Sequence, residues 1–250
     1  MQTKTFLLYV YVGISFYTTL HALLSESDIR QIYTTYVEPN DTIEYKERYK
    51  SLPLRYNTLA NWAWKGKDFP RVIALLEFRR FVKMNKIVCK KGLAINIVDP
   101  EWSYIRAEHI IKTDYSKDPH NNDLHTLNLP DSDFDFVMVN QTLEHVYDPI
   151  LCLKNIYKHM CPGGILYFNV PVNNIPHDTP FHYYTGYTPV CLGAIVKEAG
   201  FTILSIGQWG NLDYLQKMYI DLDWPDYTHF NNTAANDFQR PVIAWIFAIK

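Results

Sequence analysis

The sequence predicts an α/β fold built on an open, mostly parallel sheet. Three observations carry that expectation. Phe134–Val139 (FDFVMV) is a short apolar run of β-formers, as a strand buried on both faces would be. Tyr147–Met160 places Ile150, Leu153, Ile156, Tyr157 and Met160 at helical spacing. Ile165–Val170 is a second apolar run, set off by the helix stop Cys161-Pro-Gly-Gly164. Strand, helix and strand in that order make a parallel unit. Ligands of such sheets lie beyond the carboxyl ends of the strands. The polar cluster Asn140, Gln141, Thr142, Glu144 and His145 therefore marks the expected site.

Size and composition frame the rest. A chain of 250 residues, 48% hydrophobic and 20% charged, holds one good-sized α/β domain plus an extension. The formal charge of -2, with no basic stripe, gives no electrostatic footprint for nucleic acid, and none is expected as a partner. The four cysteines (Cys89, Cys152, Cys161, Cys191) lack metal-ligand spacing, and Cys152 and Cys161 read as small core residues. No CxxC, HExxH or Ser-His-Asp pattern is present, so no metal is expected.

At the amino end, Thr5–Ser25 has no Asp, Glu, Lys or Arg, and its centre is FLLYVYVGISF. That is long enough for a bilayer span, which takes about 20 residues. It also has the layout of a signal peptide, with Lys4 ahead of the apolar run. The positive flank on the amino side would place the remainder of an uncleaved chain in a lumen. This favours membrane association through residues 5–25, or the secretory pathway, over the cytoplasm. The alternative is an apolar helix packed on the domain. The sequons Asn40-Asp-Thr and Asn231-Asn-Thr are compatible with a lumenal chain, whereas Asn140-Gln-Thr is expected within the site and unmodified. The expected organisation is a leader or anchor over 1–25, a helical extension over 26–88 and the main domain over 89–250.

Asp68-Phe-Pro70 has the chemistry of a helix start, with Asp as N-cap and Pro just inside. Arg71–Lys83 follows with an apolar face (Val72, Leu75, Leu76, Phe78, Phe81). Its basic face (Arg79, Arg80, Lys83) is either solvated or a patch for an acidic partner. Leu93–Val98 is expected to be a strand ending at Asp99-Pro100, since Pro forbids continuation. Glu101–His109 is expected as a short helix, Ile110–Thr113 as a strand ending at Asp114, and Asp123–Leu129 as a third strand. Asp99, Asp114 and Asp123 thus stand near strand ends. Carboxylates there suit ribose hydroxyls or an exocyclic amine, or they cap turns.

The run Asp123-LHTLNLP-Asp131-SDFDFVMVNQTLEHVYDP, then Cys161-PGG-ILYFNVP, then Tyr184-TGYTPVCLGAIVKEAGF201, resembles class I S-adenosylmethionine-dependent methyltransferases of the type 11 kind. The similarity covers about Leu93 to Phe201. It implies a Rossmann-like three-layer sandwich with a mostly parallel seven-stranded sheet. Phe201–Gln208 would be an outer strand and Val242–Ile249 an antiparallel partner. S-adenosyl-L-methionine is the implied cofactor. By position, Asp114 matches the residue that holds ribose, Asp123 and Leu124 the adenine-contacting pair, and Asn140 and Gln141 the methionine-facing segment. The departure is at the first strand, where LAINIVDPEWSY lacks the G-x-G-x-G turn that lets backbone approach a cofactor. Either Asp99, Asp114 and Asp123 hold the cofactor differently, or binding has been lost.

Methyl transfer from a sulfonium is chiefly a matter of alignment and, where needed, of removing a proton. His145 and His177 are the candidate bases, with His182 behind them and Tyr183 in the same aromatic-rich loop after the PGG strand. The acceptor class is a small molecule, lipid or glycan. The rival readings are a catalytically degenerate binding or scaffold relative, and a different α/β enzyme that uses nucleotides.

Overall fold

The frame is a sheet whose strands read, in chain order, β1 (Val88–Ala94), β2 (Arg106–Lys112), β3 (Phe134–Met138), β4 (Met160–Pro171), β5 (Thr202–Gly210) and β6 (Pro241–Ile249). It is seen in a computed structural model that describes residues 24–49, 58–59, 62–63, 68–96, 99–225 and 236–250. The spatial order is β2-β1-β3-β4-β6-β5. β1 pairs in parallel with β2 and β3, β3 in parallel with β4, and β6 runs antiparallel to both of its neighbours. This is the Rossmann-like order expected, with six strands in place of seven among the described residues.

The missing strand has a physical cause. Asp123–Leu129 alternates like a strand, yet its carbonyls face helix α3 (Pro149–His159) instead of a ladder. Asn155 Nδ2 donates to the oxygens of Leu124 and His125, and the His159 ring pairs with that of Leu127. Other boundaries also shift. β1 begins at Val88, earlier than expected, because the Asp135 carboxylate accepts from the backbone N–H of Lys90 and Lys91. It ends before Asn96, whose φ of 64° turns the chain. The expected helix 101–109 is a single 3₁₀ turn, Pro100–Tyr104, followed at once by β2. Gly92 makes room for that turn: a Cβ there would lie 2.5 Å from the Trp102 ring. The Cys161–Gly164 stop is already part of β4.

Helices cover both faces. α2 (Phe69–Asn85) packs on one, with Phe78 against Tyr167, Phe136 and Phe247. Placed in the extension by sequence, α2 lies directly on the sheet. It is buried on more than one side because Tyr45 and Tyr49 cover it, and Glu77 accepts from Tyr49 Oη and Arg48. α3 and α4 (Pro189–Glu198) cover the other face, joined by α1 (Glu26–Ile32), where Lys197 pairs with Asp28. β4 serves both layers by alternation: Leu166, Phe168 and Val170 point to α3 and α4, and Tyr167 points to α2. At α2 the N-cap Asp68 makes no capping bond. Its carboxylate instead accepts from Tyr214 Oη of α5 (Leu212–Asp221). All four cysteines are free, with Cys152 buried in the core.

Asn40, the first residue of a sequon, sits inside the fold. It is buried, and its Nδ2 donates to the oxygens of Tyr36, Val37 and Ile206, so the atom a glycan would occupy is consumed by the fold. The sequon at Asn231, and the leader or anchor expected over 5–25 up to residue 23, lie outside the described residues. Among the described residues no helix is long and apolar enough to cross a membrane.

Candidate functional site

A cavity of about 490 Å³ opens at the carboxyl ends of β1 and β3. Its walls come from five places: Ile95 and Asn96 after β1, Tyr115 after β2, Asn122–His125 in the segment before β3, residues between Gln141 and Tyr147 after β3, and Asp178, Phe181 and Tyr183 in the loop after β4. Small-molecule sites commonly span about 300–1,000 Å³, so the volume suits a nucleoside-sized ligand. Where the expected glycine turn would begin, Asn96 lines the cavity. Asn96 takes the left-handed conformation, which Asn tolerates better than most residues. Its backbone N–H donates to Thr113 Oγ1, and its side-chain oxygen accepts from the N–H of Tyr115.

Asp123, Leu124, Gln141, His145 and Tyr183 are brought together on this cavity. Asp123 Oδ1 accepts from the backbone N–H of His125 and pairs with its ring Nδ1 at 2.7 Å. The His125 ring stacks on Tyr147 at 3.8 Å. Gln141, at a φ of 47°, is held by the carboxyl end of β4. His145 Nδ1 lies 3.1 Å from the Phe181 oxygen, and burial lowers its pKa below the ordinary 6.5.

Asp99 and Asn140 are placed elsewhere, in a buried polar network beside the cavity. Asn140 Nδ2 donates to Asp99, Asn169 Nδ2 donates to Asn140, and Arg71 of α2 donates to Asn169 Oδ1. Arg71 Nη2 lies 3.4 Å from both Asp99 and Glu101. Burial raises both carboxyls above their ordinary range, and the guanidinium opposes that. Two carboxylates sharing one cation in the interior favour keeping one proton between them. Asp114 closes its own turn: its carboxylate accepts from Ser116 and pairs with Lys117, which hold its pKa down at about 2.

The loop after β4 covers the turn after β3. The N–H groups of Tyr183 and Tyr184 donate to the Glu144 oxygen, and Tyr187 Oη donates to that of Leu143. Gly186 passes so close to β4 that a Cβ would lie 2.2 Å from the Val172 oxygen. Under this cover Glu144 is fully buried, neither carboxylate oxygen has a hydrogen-bond partner among the described residues, and desolvation pushes its pKa up to about 7. His177 Nδ1 is 3.0 Å from the Ile175 oxygen, and its ring centroid is 4.8 Å from that of His145.

Arg71, Glu101, Asn169, Tyr115 and Tyr147 escaped the sequence reading. Arg71 had one local sign, a cation in the first turn of an apolar helix, where the dipole disfavours positive charge.

Residues 86–168, β1 through most of β4, match a family described as a methyltransferase domain, of the type 11 kind. A comparison with curated proteins found no match. Among solved structures, the chain is similar to phosphoethanolamine N-methyltransferase 2 of Haemonchus contortus in complex with S-adenosyl-L-methionine. The identity is 13%, covering 71% of this chain and 52% of that one, with a TM-score of 0.46. It is similar to a SAM-dependent methyltransferase from Archaeoglobus fulgidus at 19% identity, covering 72% and 94%, with a TM-score of 0.43. It is also similar to the N-methyltransferase NodS from Bradyrhizobium japonicum WM9 in complex with S-adenosyl-L-homocysteine. Here the identity is 15%, covering 81% and 97%, with a TM-score of 0.45. The chain spans about half the length of the Haemonchus protein.

Proposed function

We propose that this chain, whose residues 86–168 form a type 11 methyltransferase domain, is an S-adenosylmethionine-dependent methyltransferase acting on a small-molecule, lipid or glycan acceptor. The observation that carries the proposal is the cavity, which gathers Asp123, Leu124 and Gln141 with His145 and Tyr183 at the strand ends. The cofactor supplies a methyl group already activated on a sulfonium.

The chain's residues do the rest. Asp123 offers a carboxylate to an adenine amine or a ribose hydroxyl, and Leu124 an apolar contact beside it. Gln141 is fixed by Asn169, so its position is set before any ligand arrives. His145 can take the proton of an acceptor hydroxyl or amine as the carbon–sulfur bond breaks and the methyl bond to the acceptor forms. A carbonyl oxygen only accepts, so the contact with Phe181 puts the ring proton on Nδ1 and leaves a lone pair on Nε2. Burial keeps the ring neutral near pH 7, the state a base requires. Asp178, Phe181 and Tyr183, from the loop after β4, line the acceptor side of the cavity.

Calorimetry of the full chain with S-adenosylmethionine and S-adenosylhomocysteine tests this reading. One cofactor bound per chain, with a rise in melting temperature, is expected. Neither heat nor a thermal shift at millimolar ligand overturns it in favour of a degenerate, non-binding relative.

A further inference from the structure

His145, His177 and His182 lie on different elements, one on the turn after β3 and two on the loop after β4, yet their rings converge. One nitrogen from each lies within 4.8 Å of the others. The ring centroids stand 4.6 to 5.6 Å apart.

Their hydrogen bonding is that of a ligand set. His145 Nδ1 faces the Phe181 oxygen at 3.1 Å, and His177 Nδ1 faces the Ile175 oxygen at 3.0 Å. Each contact fixes a proton on Nδ1 and frees the Nε2 lone pair, the second-shell arrangement that orients metal-binding imidazoles. His182 has both ring nitrogens shielded from solvent and without a hydrogen-bond partner. Shielded polar atoms normally find a partner, and these have none among the described residues. The fully buried Glu144 carboxylate, also without a hydrogen-bond partner, has Oε1 4.0 Å from His145 Nε2. The carboxyl group thus borders the cluster at the His145 ring.

We propose that His145, His177 and His182 form a binding site for a divalent transition metal, zinc by the chemistry of the donors. Three imidazoles without thiolate suit zinc and its borderline neighbours, and three protein ligands leave one coordination position open. Zinc–nitrogen bonds of about 2.0–2.1 Å in tetrahedral geometry put the nitrogens roughly 3.4 Å apart. Binding therefore draws the loop after β4 toward the turn after β3. The site borders the cavity through His145. A metal on Nε2 takes the lone pair that a proton acceptor needs, so the two roles of His145 exclude each other in one molecule. The proposal rests on the histidine geometry and not on the methyltransferase reading.

Untagged full-length protein, stripped with a chelator and dialysed, is titrated with Zn²⁺ by calorimetry and with Co²⁺ by visible spectroscopy. One Zn²⁺ per chain is expected, with a tetrahedral Co²⁺ spectrum that Zn²⁺ abolishes. His145→Ala, His177→Ala and His182→Ala should each weaken zinc binding by more than about tenfold. His120→Ala, which removes an exposed histidine outside the cluster, should leave it unchanged. Circular dichroism melts of the metal-free variants verify folding, and His→Gln variants replace any that do not fold. Absence of stoichiometric binding overturns the proposal, as does binding that the three variants leave intact. Cofactor calorimetry on the same metal-free protein reads out the methyltransferase reading separately.

Discussion

Gln141 and Asn169 are joined twice, by side chains at 2.8 Å (Nε2 to Oδ1) and by backbone at 2.9 Å (Gln141 N–H to the Asn169 oxygen). Asn169 Oδ1 also accepts from Arg71, so one buried oxygen fixes both a cavity residue and the cation beneath it. Asn169→Ala should cost about 2–3 kcal/mol, because it leaves buried donors without an acceptor. Denaturant titration measures that loss. Calorimetry should show weaker cofactor binding in the same variant, since Gln141 loses its support. Unchanged affinity in a folded Asn169→Ala protein would remove the network from ligand positioning.

Asp123 makes the sharpest test of the cofactor wall. Asp123→Ala should weaken S-adenosylmethionine binding about tenfold or more, as expected for losing a hydrogen bond to a charged group. Asp123→Asn, which keeps one acceptor oxygen, should fall between. Equal affinities for the three proteins would place the adenine elsewhere.

The Asp68–Tyr214 contact links α2 to α5 and predicts a pH dependence of stability. Burial pushes the Asp68 pKa from 3.8 up to about 7, against the opposing Tyr214 hydroxyl and Arg71. Between those values the folded state holds a proton that the unfolded chain has released. Stability from this group is therefore full below about pH 4 and is lost as pH rises through about 7. The effect is on the order of 2 kcal/mol once partial solvent access is allowed for. Asp68→Asn can still accept from Tyr214, so its melting temperature should vary less from pH 5 to 8 and exceed that of the parent at pH 8. Parallel melting curves would rule this group out as the source.

Asn40 contributes to the fold through its side chain. Asn40→Ala removes three hydrogen bonds to buried or half-buried carbonyls and should cost about 2 kcal/mol, read as a lowered denaturation midpoint. Expression with microsomes followed by glycosidase treatment should give no mobility change attributable to Asn40 in folded protein. A glycan there would show that modification had preceded folding.

Much of the frame was legible because apolar periodicity is local. FDFVMV, the helix after it and the last apolar run all lie within a residue or two of where they were read. Asp123–Leu129 misled because alternation reports one buried face and does not say whether backbone groups meet a strand or, as here, Asn155 and His159. Asp123, Leu124 and Gln141, named from motif order, and His145 and Tyr183, named from their place beyond the strands, all line one cavity. The network was not legible, since Arg71 and Asn169 are 98 residues apart and only folding makes them partners. His145, His177 and His182 were legible as neighbours near the strand ends, but their ring-to-ring approach was not, because no short spacing links a turn to a loop across a helix and a strand. The absence of a glycine turn was legible in the sequence, whereas the left-handed backbone at Asn96 was not, since Asn is one of several residues that can adopt it.

β6 is the last strand in the sequence, yet it lies inside the sheet, between β4 and β5. During synthesis β5 therefore emerges before the strand it pairs with, and its edge stays open until Pro241–Ile249 has left the ribosome. Open edges of apolar strands recruit other chains. A nascent chain stalled ahead of β6 thus leaves uncovered the edges of β4 and β5 that β6 pairs in the folded sheet.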